Sequence, residues 1–186
     1  TITSALNSNY VLDLSEGKVR SGGNIQIYQS NGTDAQKWTF TKFDPMEQKL
    51  DELAENNIST ISDGTYLIST LKNSNYTLDV TDASSSNEAN IQLWTSNKTQ
   101  AQQFNVSHDS KGYVTFTNVK SGKVLDVRNG TVQNGANVWQ YTSNGTKAQK
   151  WIVQKNGSAY TITSALNSNY VLDLSEGKVR SGGNIQ

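Results

Sequence analysis

"YTLDVTDASSSNEANIQLWTSNKTQAQQFNV", residues 76–106, is the middle one of three stretches that align almost without gaps. The others are "YVLDLSEGKVRSGGNIQIYQSNGTDAQKWTF" (10–40) and "KVLDVRNGTVQNGANVWQYTSNGTKAQKWIV" (123–153). Each carries an "LD" aspartate near its start and a Q-x-W or Q-x-F near its end. Residues 161–186 start a fourth copy, letter for letter the same as residues 1–26. The four aspartates, Asp13, Asp79, Asp126 and Asp173, stand 66, 47 and 47 residues apart. A repeat of this period is a unit too small to bury its own core, so the copies must close on one another. Within the middle stretch and its flank, short strands read as "TYLIST", "YTLDV", "NIQLW" and "QQFNV", with turn clusters between them. Three such repeats give an all-β fold of twelve strands. Leu12, Ile25, Trp38 and Phe40, with their counterparts, are its expected core.

Composition agrees and narrows the function. Lys plus Arg equal Asp plus Glu at 16 each, so no net field attracts nucleic acid or an anionic membrane. Cysteine is absent and His108 is the single histidine. That removes disulfides and thiolate zinc and leaves little for imidazole chemistry. No apolar run approaches the roughly 20 residues of a membrane-spanning helix. No signal peptide is seen, and the chain starts at Thr1, which reads as a processed or excised piece. Ser107, His108 and Asp109 offer triad residue types, but neighbours on one loop cannot take triad geometry. "GKVRSGG" lacks phosphate-loop spacing. The reading is no enzyme, no metal and no cofactor.

The wider first spacing exceeds the others by the 19 residues "DPMEQKLDELAENNISTIS", Asp44 to Ser62. Asp44 suits a helix N-cap, Pro45 the first helical position, and Glu47 the far side of a capping box. Met46, Leu50 and Leu53 share one helical face, and Asn56 and Asn57 can end it. A linker helix lying on the domain or on a neighbour is expected. The alternative is a solvated acidic linker. The chain then divides into a first repeat (1–43), the helical insert (44–62), two further repeats (63–156) and a duplicate half-repeat (157–186).

The motifs "AQKW" (35–38 and 148–151) and "AQQF" (101–104), in register with the "LD" aspartates, resemble the Q-x-W repeats of ricin B-type β-trefoil lectins, also called carbohydrate-binding module family 13. The resemblance implies a β-trefoil and a sugar-binding, non-catalytic module, with galactose-type or xylan-type glycans as partners. It also implies a secreted or cell-surface setting; the absence of cysteine suits a bacterial member. The family's site, an aspartate, a glutamine 13 residues on and an aromatic two beyond, maps onto Asp79, Gln92 and Trp94. It maps also onto Asp13, Gln26 and Tyr28. In the third repeat it meets Asp126 and Tyr141, with Trp139 in the glutamine's place. An aromatic ring can cover the apolar C–H face of a pyranose while a carboxylate accepts two hydroxyl hydrogens. Such sites are weak singly and gain by avidity. Ala35, Ala101 and Ala148 stand where the family commonly has asparagine; Asn97 and Asn144 are candidates to replace it.

Structural roles compete with these. The aspartates can tie turns to backbone amides, and the aromatics can be ordinary strand residues. The Q-x-W glutamines Gln36, Gln102 and Gln149 read as structural. The "SNGT" and "SNKT" turns match glycosylation sequons but recur in every repeat, so turn geometry explains them. With decayed sugar sites, the chain would be a protein-interaction or structural trefoil. The identical ends admit two packings. Either residues 1–43 complete the trefoil and 161–186 is spare, or 161–186 pairs with 27–43 and 1–26 is displaced. A tandem array and an engineered duplication both fit, and a spare half-repeat is a route to domain-swapped self-association.

Overall fold

The computed structural model describes residues 1–186 as two compact units, Thr1–Phe43 and Asp44–Gln186. In the first unit, β1 (Tyr10–Leu14) and β2 (Ile25–Gln29) form an antiparallel hairpin, with Asp13 opposite Gln26. Two short 3-10 turns, Ser15–Gly17 and Asp34–Gln36, complete it. Here the expected core is corrected. Ile25 and Phe40 are exposed and Leu12 and Trp38 only half-buried. A single repeat has no second layer to cover its apolar face.

The second unit opens with α1 (Pro45–Asn56). Strands β3 (Gly64–Leu67), β4 (Tyr76–Val80), β5 (Ile91–Thr95) and β6 (Gln103–His108) follow, the second repeat. The third supplies β7 (Val114–Asn118), β8 (Val124–Val127), β9 (Val138–Tyr141) and β10 (Trp151–Asn156). The last copy adds β11 (Ala159–Ser164) and β12 (Gly183–Asn184). β11 pairs with β10 through a hairpin at Asn156–Ala159, and β12 pairs with β5. Ile185 is buried in the same core as Leu78, Ile91, Phe104, Leu125, Val138 and Trp151. So residues 161–186 close on the second and third repeats while residues 1–26 pair with their own continuation. Neither of the two expected packings describes this. The fold is an all-β trefoil with one short helix.

Recurrent hydrogen bonds explain the recurrent letters. Gln102 Oε1 accepts from the Asn97 and Lys98 amides, and its Nε2 donates to the Thr95 carbonyl. Gln36 and Gln149 hold the matching turns in the same way. In the "SN" turns, Asn31, Asn97 and Asn144 each accept from the amide two residues on, the Asx geometry that favours asparagine there.

α1 lies on its own unit, as a docked element and not a solvated linker. Asp44 Oδ1 caps the amides of Met46 and Glu47. Glu47 does not complete the capping box but pairs with Lys147 at 3.2 Å. Leu50 and Ala54 are buried against Tyr113, Ile152 and Ala165, with Met46 and Leu53 packed alongside. The closest approach is at Gly112 (φ +87°), where an added Cβ would meet the Ala54 carbonyl oxygen at 2.5 Å. Gly112→Ala is therefore expected to destabilise the second unit by at least about 2 kcal/mol, through left-handed strain and a backbone clash. Urea unfolding measures this.

A polar cluster fastens the same helix. Tyr113 Oη and Lys111 Nζ each donate to Asp51, both at 2.9 Å. Lys150 donates to Asp109 at 2.7 Å and sits over the Tyr113 ring. The Lys111 ammonium holds the Asp51 carboxyl below its usual range against the opposing effect of burial. Burial pushes Asp109 up, but Lys150 and the amides of Lys111 and Tyr113 outweigh it and leave it lowered. Burial and Asp51 raise the Tyr113 phenol, which stays protonated as a donor. Carboxylates lowered on folding contribute stability that is present above the ordinary value of about 4 and lost as pH falls through the folded value. The hydrogen-exchange protection factors of the Pro45–Asn56 amides, taken against the intrinsic rate at each pH, should therefore fall as pH drops below about 4.

Candidate functional site

The second repeat builds the clearest site. Asp79 on β4 lies opposite Gln92 on β5. Gln92 Nε2 donates to Asp79 Oδ1 at 2.9 Å, which fixes the carboxylate. Asp79 is buried, yet its Oδ2 accepts from no protein donor. Both residues line an open cavity of about 700 Å³ with Trp94, Asn97, Lys98 and Lys120. Trp94, two positions beyond Gln92 on the same face of β5, is 41% exposed. Asn97 Oδ1 is committed to the Thr99 amide, leaving its Nδ2 to donate. The site thus holds an unpaired carboxylate oxygen, a free amide donor and an aromatic wall.

The third repeat reaches a similar arrangement by different chemistry. Trp139 Nε1 donates to Asp126 Oδ1 at 2.7 Å, taking the part that Gln92 plays for Asp79. Trp139 is 8% exposed, stacked near Tyr141 with Arg128 over its ring. It therefore anchors the carboxylate, and Tyr141 is the more open aromatic. Asp126, Trp139, Tyr141 and Asn144 line a cavity of about 420 Å³ with Glu88 and Lys147.

In the first unit, Asp13 accepts from Gln26 Nε2 on one oxygen and from Gln36 Nε2 on the other, both at 3.1 Å. Tyr28 is exposed. With both its oxygens engaged, Asp13 has less to offer a ligand than Asp79. None of the three aspartates accepts from a backbone amide, so the turn-tying role does not apply to them.

Ala101 and Ala148 are buried beside these cavities and offer no polar group. The lysines Lys98, Lys120 and Lys147 also line these cavities and are not among the residues the sequence singled out, although Lys98 lies in the "SNKT" turn itself. The turn after each "LD" strand carries a residue of positive φ, at Glu16, Asp82, Asn129 and Glu176, and this turn forms one wall of the second and third cavities. His108 Nδ1 lies 2.6 Å from Asp63, not from Asp109. No group of three His, Cys, Asp or Glu side chains is placed to hold a metal ion.

Comparison with solved structures returns trefoils. A designed three-fold symmetric protein, ThreeFoil, is 30% identical, with a TM-score of 0.63 over 66% of this chain and 87% of that one. An exo-β-1,3-galactanase from Clostridium thermocellum is 35% identical, with a TM-score of 0.60 over 67% of this chain. The chain spans only 26% of that enzyme's length. The Rhizoctonia solani agglutinin shares the fold at 24% identity, with a TM-score of 0.61 over 67% of this chain and 84% of that one. A comparison with curated protein sequences gives no match. The family model described as ricin-type beta-trefoil lectin domain-like matches residues 1–94 and 100–186, so by repeat, fold and sequence the chain belongs to that family.

Proposed function

We propose that the chain is a non-catalytic carbohydrate-binding module whose principal site is Asp79, Gln92 and Trp94. The observation that carries this is the unpaired Oδ2 of Asp79, held by Gln92 in a cavity with an exposed tryptophan. An oxygen so placed accepts sugar hydroxyls in charge-assisted bonds, and Trp94 covers the C–H face. Asn97 Nδ2 supplies the donor that Ala101 cannot. Asp126 with Tyr141, and Asp13 with Tyr28, are secondary sites, and weak sites on one chain gain by avidity on a polymeric glycan. Galactose-type and xylan-type glycans are the ligand classes proposed, and an extracellular or cell-surface bacterial setting goes with them.

Calorimetric titration with galactose, N-acetylgalactosamine, xylan oligosaccharides and peptidoglycan fragments tests the reading. Binding to one class, weakened roughly tenfold by Trp94→Ala through loss of the stacking surface, is expected. No binding of any class to folded protein would overturn it.

A further inference from the structure

Two lysines line the second-repeat cavity without a carboxylate partner. Lys98 and Lys120 both reach it, together with Asp79, Asp82 and Trp94. Neither ammonium belongs to any of the salt bridges of the chain. The turns that carry the two lysines are tied together. Gln103 Nε2 donates to the Lys98 carbonyl at 2.9 Å. Asn118 Nδ2 donates to the carbonyls of Ala101 and Gln103, and Asn118 Oδ1 accepts from the Lys120 amide. The two cations therefore belong to one stretch of the cavity wall. Asp82 lies on another, the turn after β4.

The backbone of Lys98 is a second observation. Its φ is +58°, and the matching residues of the other two repeats are Gly32 and Gly145, each at +72°. Glycine takes this conformation freely, whereas a lysine there is strained. Strain of this kind clusters at functional sites. The strained residue here carries a free ammonium into the cavity that already holds the open oxygen of Asp79. The third cavity is the contrast. Gly145 stands in the place of Lys98, the one lysine there, Lys147, pairs with Glu47 at 3.2 Å, and Glu88 adds a carboxylate.

We propose that the second-repeat site selects a glycan bearing an anionic group, with Asp79 and Trp94 holding the sugar while Lys98 and Lys120 pair with its carboxylate or sulfate. The inference rests on the carbohydrate reading of this site and adds the charge of the ligand. Asp79 and Asp82 repel an anion, so the charged substituent must lie on the lysine side of the sugar ring. That fixes the orientation of the ligand as well as its class. The third site, where carboxylates outnumber unpaired cations, does not share the preference.

Titration of the full chain on the Trp94 indole signal is the test. It compares galactose with galacturonic acid and with galactose 6-sulfate, and xylotetraose with its glucuronic-acid-branched form. At low salt an anionic sugar should bind about tenfold tighter than its neutral parent, since each exposed ion pair gives up to about fivefold. The ratio should shrink severalfold in about 0.5 M salt. A larger ratio for galacturonic acid than for galactose 6-sulfate names the anion a carboxylate, the reverse a sulfate, and either supports the proposal. Lys98→Gly installs the residue of the other repeats. It should raise the melting temperature by relieving the strain and cut the ratio about threefold. Adding Lys120→Gln should bring the ratio to about one. A purely structural Lys98 would change the melting temperature and leave the ratio alone. Neutral sugars that bind while anionic ones bind no better, or a preference that the double variant keeps, would overturn the inference and leave the carbohydrate reading standing. Binding of no sugar, neutral or anionic, would overturn both.

Discussion

Asp79→Ala is expected to abolish ligand binding at the second-repeat site, with a loss of affinity of about 100-fold, while the trefoil stays folded. The size follows from the chemistry. A hydrogen bond to a charged group contributes about 1.5–3 kcal/mol, and the free Asp79 Oδ2 with the shared Oδ1 can accept from two adjacent hydroxyls. Two bonds at the lower end come to about 3 kcal/mol, two orders of magnitude in affinity. The structural cost is small because Gln92 is the sole protein donor to Asp79. Gln92 is only part-buried and can turn its amide to water, so about 1 kcal/mol of stability is lost.

Asp79→Asn separates charge from shape. Its oxygen can still accept from Gln92, but an NH2 then faces the cavity where an acceptor stood. Binding should fall nearly as far as in the alanine variant. Asp126→Ala should leave this site untouched, since Asp126 lines a separate cavity. Titration followed on the Trp94 indole signal reads the second site alone. An Asp79→Ala chain that moves that signal as the wild type does would remove Asp79 from the site.

Much of this was legible in the letters because it is local. The Q-x-W glutamine holds a turn five residues before it, and Asp44 caps the helix two and three residues after it. Such bonds need nothing beyond a short window of sequence. The Asp–Gln pair 13 residues apart was readable for a related reason: both sit on one hairpin in a fixed register. What was illegible depended on distant partners. Trp139 as the donor to Asp126 is a substitution whose effect only the folded hairpin shows. The docking of α1 required Gly112, Tyr113 and Ile152, far along the chain. The choice between the identical ends could not be read from the ends themselves. It was set by distant pairing: β11 pairs with β10 and β12 with β5, so residues 161–186 close on other repeats, whereas residues 1–26 pair with their own continuation.

That contrast gives the second large expectation. Trp151→Ala should destabilise the second unit by about 3–5 kcal/mol, a large share of the roughly 5–15 kcal/mol that holds a typical domain together. Trp38→Ala, the same letter in the same motif, should cost the protein less than about 2 kcal/mol. Both indoles donate to the carbonyl of an "LD" leucine, Trp38 to Leu12 and Trp151 to Leu125. Trp151 is 1% exposed among Leu125, Val127, Val138 and Phe104, so its loss leaves a cavity that the packed strands cannot close. Trp38 is half-buried in a two-stranded unit, where water fills its place. Thermal unfolding of the two variants side by side measures the difference. Equal losses would mean that the motif contributes by its local hydrogen bond. The unequal losses expected here would show that a Q-x-W repeat gains its stability only when other repeats close over it.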